Sequence, residues 1–256
     1  MNLAKYSANG NDFVLFSSEI KEDRTELAKE LCHRQDGVGA DGLIVVIPSS
    51  EYDFEWEFYN ADGSHADMCG NGSRACAHFA FNQGLAKEKM SFLTGAGVIN
   101  AEVKENTLKS AMVMSELTPP KILDKNIEFN GKSWWLINTG VPHLVCIQDN
   151  VNSFDLEEAR ELRFKYNANV NICCVVGENL QVRTYERGVE NETLACGTGM
   201  AACFYRALQE GEVGECIEVY PTSGETLYLG VNERTITFEG RVVNTFNTEW
   251  EIEEVD

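Results

Sequence analysis

No stretch of this chain approaches the ~18–20 consecutive apolar residues that span a membrane. Its opening residues, Met1 to Gly10, lack the apolar core of a secretory signal. Both absences set the expectation of a cytoplasmic protein that does not enter a membrane. No two cysteines stand at Cys-x-x-Cys spacing, and the four histidines (His33, His65, His78, His143) show no ligand spacing, so no metal site is expected. Positive charge is scarce: 21 Lys and Arg stand against 41 Asp and Glu, a formal net charge of −20. Phosphate would repel such a surface, which argues against a nucleic-acid partner and for a solvated acidic exterior. Low-complexity tracts are missing as well.

What is present is ordinary for a soluble globular protein: 256 residues, 43% hydrophobic and 24% charged, enough for one large domain or two of usual size. Nine cysteines, an odd number, read as reduced thiols rather than a disulfide framework.

The informative feature is a duplication. Cys69-Gly70-Asn71-Gly72 and Cys196-Gly197-Thr198-Gly199 lie 127 positions apart. Each leads through a Gly turn to Asn71 or Thr198, both good helix N-caps, and then to a run of small, helix-compatible residues. The same offset maps Cys76 onto Cys203, Gly84 onto Gly211 and Gly97 onto Gly224. Upstream, the helical pattern Arg24–Leu31 matches Leu156–Leu162, each with Leu, Ala and Leu on one face. A β-branched run follows each (Leu43–Ile47, Ile172–Val176), then an alternating strand (Phe54–Tyr59, Leu180–Tyr185) before the Cys motif. Strand-turn-strand patterns come after, Gly97–Val103 with Leu108–Met114 and Glu225–Leu229 with Thr235–Phe238.

This order is not a steady β-α-β alternation, so a doubly wound parallel sheet is not expected; mainly antiparallel α+β halves are. The Pro119-Pro120 region marks the boundary, giving lobes 1–115 and 116–243, with a final segment of about 244–256 returning to the first. Two homologous lobes predict a small-molecule pocket between them.

A thiol at a helix N-terminus is easier to ionise, and the backbone N–H groups there bind carboxylate. Two such mouths suit stereoinversion: one thiolate removes an α-proton while the other thiol protonates the opposite face. The other reading of a cysteine is inert apolar packing, and it applies to Cys32, Cys76, Cys146, Cys173, Cys174, Cys203 and Cys216. Asp12, Asp41 and Asp62, each beside Gly or Asn, read as turn residues, and His143 follows Pro142 in an expected turn.

Several ordered motifs carry a family resemblance: Gly10-Asn11-Asp12-Phe13-Val14, Gly37–Gly42, Phe58–Ser64, Met68–Arg74, Asn169-Val170-Asn171, and Tyr185–Gly188 leading to Leu194–Gly199. From end to end the chain resembles the diaminopimelate epimerase family of cofactor-independent isomerases in bacterial lysine and cell-wall precursor synthesis. The resemblance implies interconversion of LL- and meso-diaminopimelate, with no cofactor and no metal. It also implies two pseudo-symmetric lobes, each a curved sheet around a central helix, and a homodimer. By position, Cys69 and Cys196 resemble the acid/base pair, and Gly70, Asn71, Gly197 and Thr198 the α-carboxylate cradle. Asn11, Asn60, Asn169, Glu186 and Arg187 resemble the groups that hold the substrate. His143 and Glu186 match positions that adjust thiol ionisation. Two departures stand out. Val141 replaces an Asn frequent in the family and removes a side-chain hydrogen bond, and Gly42 replaces a Gln found in some members.

Two alternatives compete. A proline or hydroxyproline racemase has Met-Cys-Gly-His where this chain has Met68-Cys69-Gly70-Asn71, and Glu186-Arg187 favours a substrate with a second charged end. A two-lobed redox or binding protein would join Cys69 and Cys196 in a regulatory disulfide.

Overall fold

A computed structural model of the protein describes residues 1–233 and 235–251. The chain divides into two compact units, Met1–Ser115 with the chain from Gly240 onward, and Glu116–Glu239. Residues 252–256, the end of the segment expected to return to the first lobe, lie outside the described residues.

The first unit comprises β1 (Asn2–Ala8), β2 (Asn11–Ser17), α1 (Thr25–Cys32), β3 (Gly42–Ile47), β4 (Phe54–Asn60), α2 (Gly70–Asn82), β5 (Lys89–Thr94), β6 (Gly97–Lys104) and β7 (Ser110–Glu116). The second comprises β8 (Lys121–Phe129), β9 (Lys132–Asn138), β10 (Pro142–Ile147), α3 (Leu156–Tyr166), β11 (Asn169–Val176), β12 (Asn179–Glu186), β13 (Asn191–Thr193), α4 (Gly197–Glu210), β14 (Cys216–Tyr220) and β15 (Leu227–Asn232). The last strand, β16 (Thr235–Glu249), begins in the second unit and ends in the first.

Local chemistry explains several boundaries. Asn9-Gly10 and Asn130-Gly131, all four at positive φ (49°, 90°, 51° and 72°), turn β1 into β2 and β8 into β9. Asn-Gly is the dipeptide that tolerates this left-handed pair best. Asp155 caps α3 by accepting from Glu157 N and Glu158 N at 2.9 and 3.2 Å. Left-handed Asn167 (φ 50°) ends α3 and Gly211 (φ 75°) ends α4.

The pairings repeat between units. Most are antiparallel, but β2 runs parallel to β3 across α1, and β4 parallel to β5 across α2. In the second unit β10 runs parallel to β11 across α3, and β12 parallel to β14 across α4. A parallel pair needs such a crossover, so the helices fall at the same points of both halves. The fold is therefore α+β, with each half a mainly antiparallel sheet around a central helix. In the first unit β7 neighbours β16, and β16 pairs back onto β1, closing the sheet around α2.

Every residue of α2 from Gly70 to Ala80 is buried. Its Ala75, Cys76, Phe79 and Ala80 pack with Leu15, Ile44, Phe54, Phe92 and Val113 from the surrounding strands. On the sheet's other face Ala28, Leu31 and Cys32 of α1 pack on Val14, Leu43 and Val45. The second unit repeats this: α4 buries Met200, Ala201, Cys203 and Phe204, while Ala159 and Leu162 of α3 pack on Leu144, Val170 and Ile172. Among the apolar cysteines one expectation fails: Cys216, the first residue of β14, is exposed. No helix among the described residues is long and apolar enough to cross a membrane.

Leu162 is fully buried and Leu108 is 83% exposed. Leu162→Ala should lower unfolding free energy by about 2–5 kcal/mol through lost burial and a residual cavity, and Leu108→Ala by less than about 0.5 kcal/mol, as read from urea midpoints.

Candidate active site

In the first unit Cys69 occupies the N-cap of α2 with an extended backbone (φ −145°, ψ 119°), and its Sγ accepts from Gly72 N at 3.4 Å. The helical ladder begins with Ser73 N donating to Cys69 O, so the N–H groups of Gly70, Asn71 and Gly72 precede it. Asn71 points inward: its Nδ2 donates to Asn11 Oδ1 at 2.7 Å, and Asn11 Nδ2 donates to Asp41 Oδ2 at 3.0 Å. Arg74, one turn into α2 and fully buried, donates to Gly70 O (3.0 Å), Asn71 Oδ1 (2.6 Å) and Asn9 Oδ1 (2.5 Å). Asn60 ends β4 in a turn, where its Nδ2 donates to Ser64 Oγ at 2.9 Å. The next residue, Ala61, donates its N–H to Asp41 O, which ties that turn to the Asn11 network.

In the second unit Cys196, 9% exposed, caps α4 (φ −123°, ψ 107°), and Met200 N donates to Cys196 O to begin the ladder. Cys196 Sγ lies 3.6 Å from Thr198 Oγ1, and Thr198 Oγ1 lies 2.9 Å from His143 Nε2. Thr139 Oγ1 donates to Thr198 O at 2.8 Å. His143 is wholly buried against Asn171, whose Nδ2 is 3.1 Å from His143 Nδ1. Asn169 Oδ1 accepts from Arg187 N at 2.7 Å, and Arg187 Nη1 donates to Asn167 O. Burial pushes the His143 imidazole down to about 3, and the Arg187 charge adds to it. Burial likewise raises the Glu186 carboxyl above the usual carboxylate range.

Within the first unit, Cys69, Gly70, Asn71, Asn11 and the Asn60 turn thus belong to one connected region. Within the second, so do Cys196, Gly197, Thr198, His143, Asn169 and the adjoining Glu186-Arg187. Several expectations are corrected. The caps are the cysteines themselves, not Asn71 or Thr198, because the Gly-x-Gly residues already take helical geometry and only the Cys backbone is extended. His143 lies in strand β10, not in a turn. Asp12 and Asp41 form an ion cluster with Lys5 and Arg34 rather than simple turns. Burial opposes ionisation of Asp12, but Arg34 and Lys5 outweigh it and hold the carboxyl low. Sequence reading missed Arg74 and Asn171 as organisers, although both sit inside quoted motifs; their burial carries the signal, and a linear motif does not display it. Val141, half-buried, contributes its carbonyl, which accepts from Thr139 N at 3.3 Å.

Solved structures share this fold class. A probable proline racemase from Agrobacterium radiobacter superposes with a TM-score of 0.76 at 12% identity, over 98% of this chain and 93% of that one. The sequence narrows the class. A family model described as diaminopimelate epimerase matches residues 3–122 and 135–242. The diaminopimelate epimerase of Nitratiruptor sp. is 59% identical over 97% of this chain and 98% of its own, and that of Campylobacter jejuni subsp. jejuni (strain 81-176) is 51% identical over 98% and 99%. The chain belongs to the diaminopimelate epimerase family.

Arg74→Met leaves the buried Asn9 and Asn71 oxygens short of a donor and should cost at least about 2 kcal/mol of stability in chemical denaturation. His143 gives a pH signature. Because its folded value lies below the unfolded one, the unfolded state alone takes up a proton as pH falls from about 6.5 toward 3, so stability is lost across that window. His143→Gln should reduce that slope by up to about 1.4 kcal/mol per pH unit. A residual slope from His78, also lowered by burial, should remain.

Proposed function

We propose that this protein interconverts LL- and meso-2,6-diaminopimelate by moving the α-proton between Cys69 and Cys196, without pyridoxal phosphate or a metal. The observation that carries the reading is a thiol-capped helix N-terminus repeated in both units of a chain that belongs to this family. In each direction one cysteine starts as thiolate and takes the α-proton, becoming a thiol. The other starts as a thiol and delivers its proton to the opposite face, becoming a thiolate. The electron pair released from the C–H bond spreads onto the α-carboxylate. N–H groups at Gly70, Asn71, Gly197 and Thr198, which precede each helical ladder, suit the growing negative charge there.

Asn11, Asn60 and Asn169 supply amides for the substrate's polar groups. Glu186 suits its distal ammonium, and the Arg187 guanidinium its distal carboxylate. His143 acts on Cys196 through Thr198, and Glu186 adds a carboxyl raised by burial. Val141 offers no side-chain hydrogen bond, so this chain relies on the remaining groups. The two units serve as the catalytic lobes, and the enzyme works as a homodimer in the cytoplasm with no nucleic-acid partner. Nine free cysteines and a net charge of −20 support the compartment and the last point.

Incubation with LL-diaminopimelate in D₂O should place deuterium at the α-carbon as the meso isomer accumulates, while proline stays unlabelled. Cys69→Ala or Cys196→Ala should each cut turnover by at least about 10²-fold. Either variant retaining a near-normal rate rules out the two-thiol scheme.

A further inference from the structure

The scheme above leaves Asn171 unused, yet this side chain is fully buried in β11 with every hydrogen-bonding atom engaged. Its Nδ2 donates to Leu144 O at 2.9 Å and points the second hydrogen at His143 Nδ1, 3.1 Å away. Its Oδ1 accepts from Thr184 Oγ1 at 2.8 Å. Reversing the amide would set Oδ1 against the Leu144 carbonyl, acceptor on acceptor, so the orientation is determined. An amide N–H only donates, and His143 Nδ1 is therefore an acceptor that carries no proton. The single proton of the neutral imidazole is on Nε2, which donates to Thr198 Oγ1. The hydroxyl hydrogen of Thr198 must then go elsewhere, and Cys196 Sγ is 3.6 Å away. Asn169 offers an amide to the other ring nitrogen but less closely: its Oδ1 is held by Arg187 N, and its Nδ2 stands 3.4 Å from His143 Nε2 against 3.1 Å for Asn171 at Nδ1. A neutral imidazole accepts at one nitrogen only, and the nearer amide decides which.

The arrangement is not a requirement of the fold. Counting 127 residues back places Ile44 where the second unit has Asn171, and Gly72 where it has Gly199. A Cβ on Gly72 would meet Ile44 Cδ1 at 3.2 Å; one on Gly199 would strike Asn171 Oδ1 at 2.3 Å. The same strand-helix contact is thus built apolar in one unit and polar in the other.

We propose that Asn171 is a positioning residue: it holds His143 in the Nε2–H form, which commits the Thr198 hydroxyl as hydrogen-bond donor to the Cys196 sulfur. A hydrogen aimed at sulfur favours thiolate over thiol, so this device readies Cys196 in its basic form. Its catalytic meaning rests on the acid/base role proposed above for Cys196, but its test does not.

Nitrogen-15 NMR of the full-length protein labelled at its four histidines reads the tautomer directly. Between about pH 6 and 9, His143 should show a bare Nδ1 and a protonated Nε2 with no titration. A protonated Nδ1, or a titration in that range, overturns the proposal. Asn171→Asp, which offers an acceptor in place of the donor, should move the proton to Nδ1. Alkylation of Cys196 by iodoacetamide, followed by peptide mass, should slow about tenfold in Thr198→Val and stay near normal in Thr198→Ser. Equal alkylation in Thr198→Val and the parent sinks the idea even where Asn171→Asp does not fold. Neither readout involves epimerisation, so loss of the proposed activity and loss of this device would be told apart.

Discussion

A helix that ends inside its own protein must find partners for the N–H groups of its first turn, and both halves of this chain are arranged around that need. Gly70 to Ser73 are all buried, as are Gly197, Gly199 and Met200, so bulk water is a poor partner. A cysteine at the N-cap is an unusual answer, since Ser, Thr, Asp and Asn accept more strongly. In the first unit sulfur accepts from Gly72 N, while the N–H groups of Gly70 and Asn71 precede the helical ladder. On the reading proposed above, the weak cap and the α-carboxylate site are one feature: a stronger cap would occupy the donors that the carboxylate needs.

The two mouths meet this constraint with different supports. In the first unit the helix braces itself, because Arg74 folds back onto Gly70 O and Asn71 Oδ1 and reaches across to Asn9. In the second unit the bracing comes from the sheet, with Thr139, His143, Asn171 and Thr184 converging beneath Thr198. Position 201, the counterpart of Arg74 at the shared offset, is alanine and cannot supply such a brace. Duplication preserved the thiol, the glycines and the crossover topology, while each copy found its own way to hold the residue two places after the cysteine.

The repeated order of helices and strands was legible because it rests on local patterns: apolar faces at helical spacing near Ala28 and Ala159, alternation in β4 and β12, and the Cys-Gly-x-Gly pair. What sequence reading missed depends on three-dimensional context. The small hairpin turns at Asn9-Gly10 and Asn130-Gly131 carried a readable signal that went unused. Arg74 and Asn171 carried none, because an arginine in a helix and an asparagine in a strand are surface residues by default. Only burial combined with several side-chain hydrogen bonds distinguishes them. Cys216 failed for the complementary reason: a thiol among β-formers looks apolar until the strand shows which face it is on.

The sheet registers carry the comparison of the halves one step further. Leu43 pairs with Tyr59 as Val170, 127 residues on, pairs with Tyr185, and both tyrosines are buried. Asn60 and Glu186 each follow one of these tyrosines and so stand at matching places in their ladders. One copy presents a neutral amide followed by Ala61, the other a carboxyl followed by Arg187. A symmetric pair of thiols suffices to invert a stereocentre, but it cannot tell an amino acid from one with a second charged end. On the reading proposed here the chemistry lives in what the halves share. The choice of substrate lives where they diverge, in the charged dipeptide Glu186-Arg187 that follows Tyr185 in the second unit.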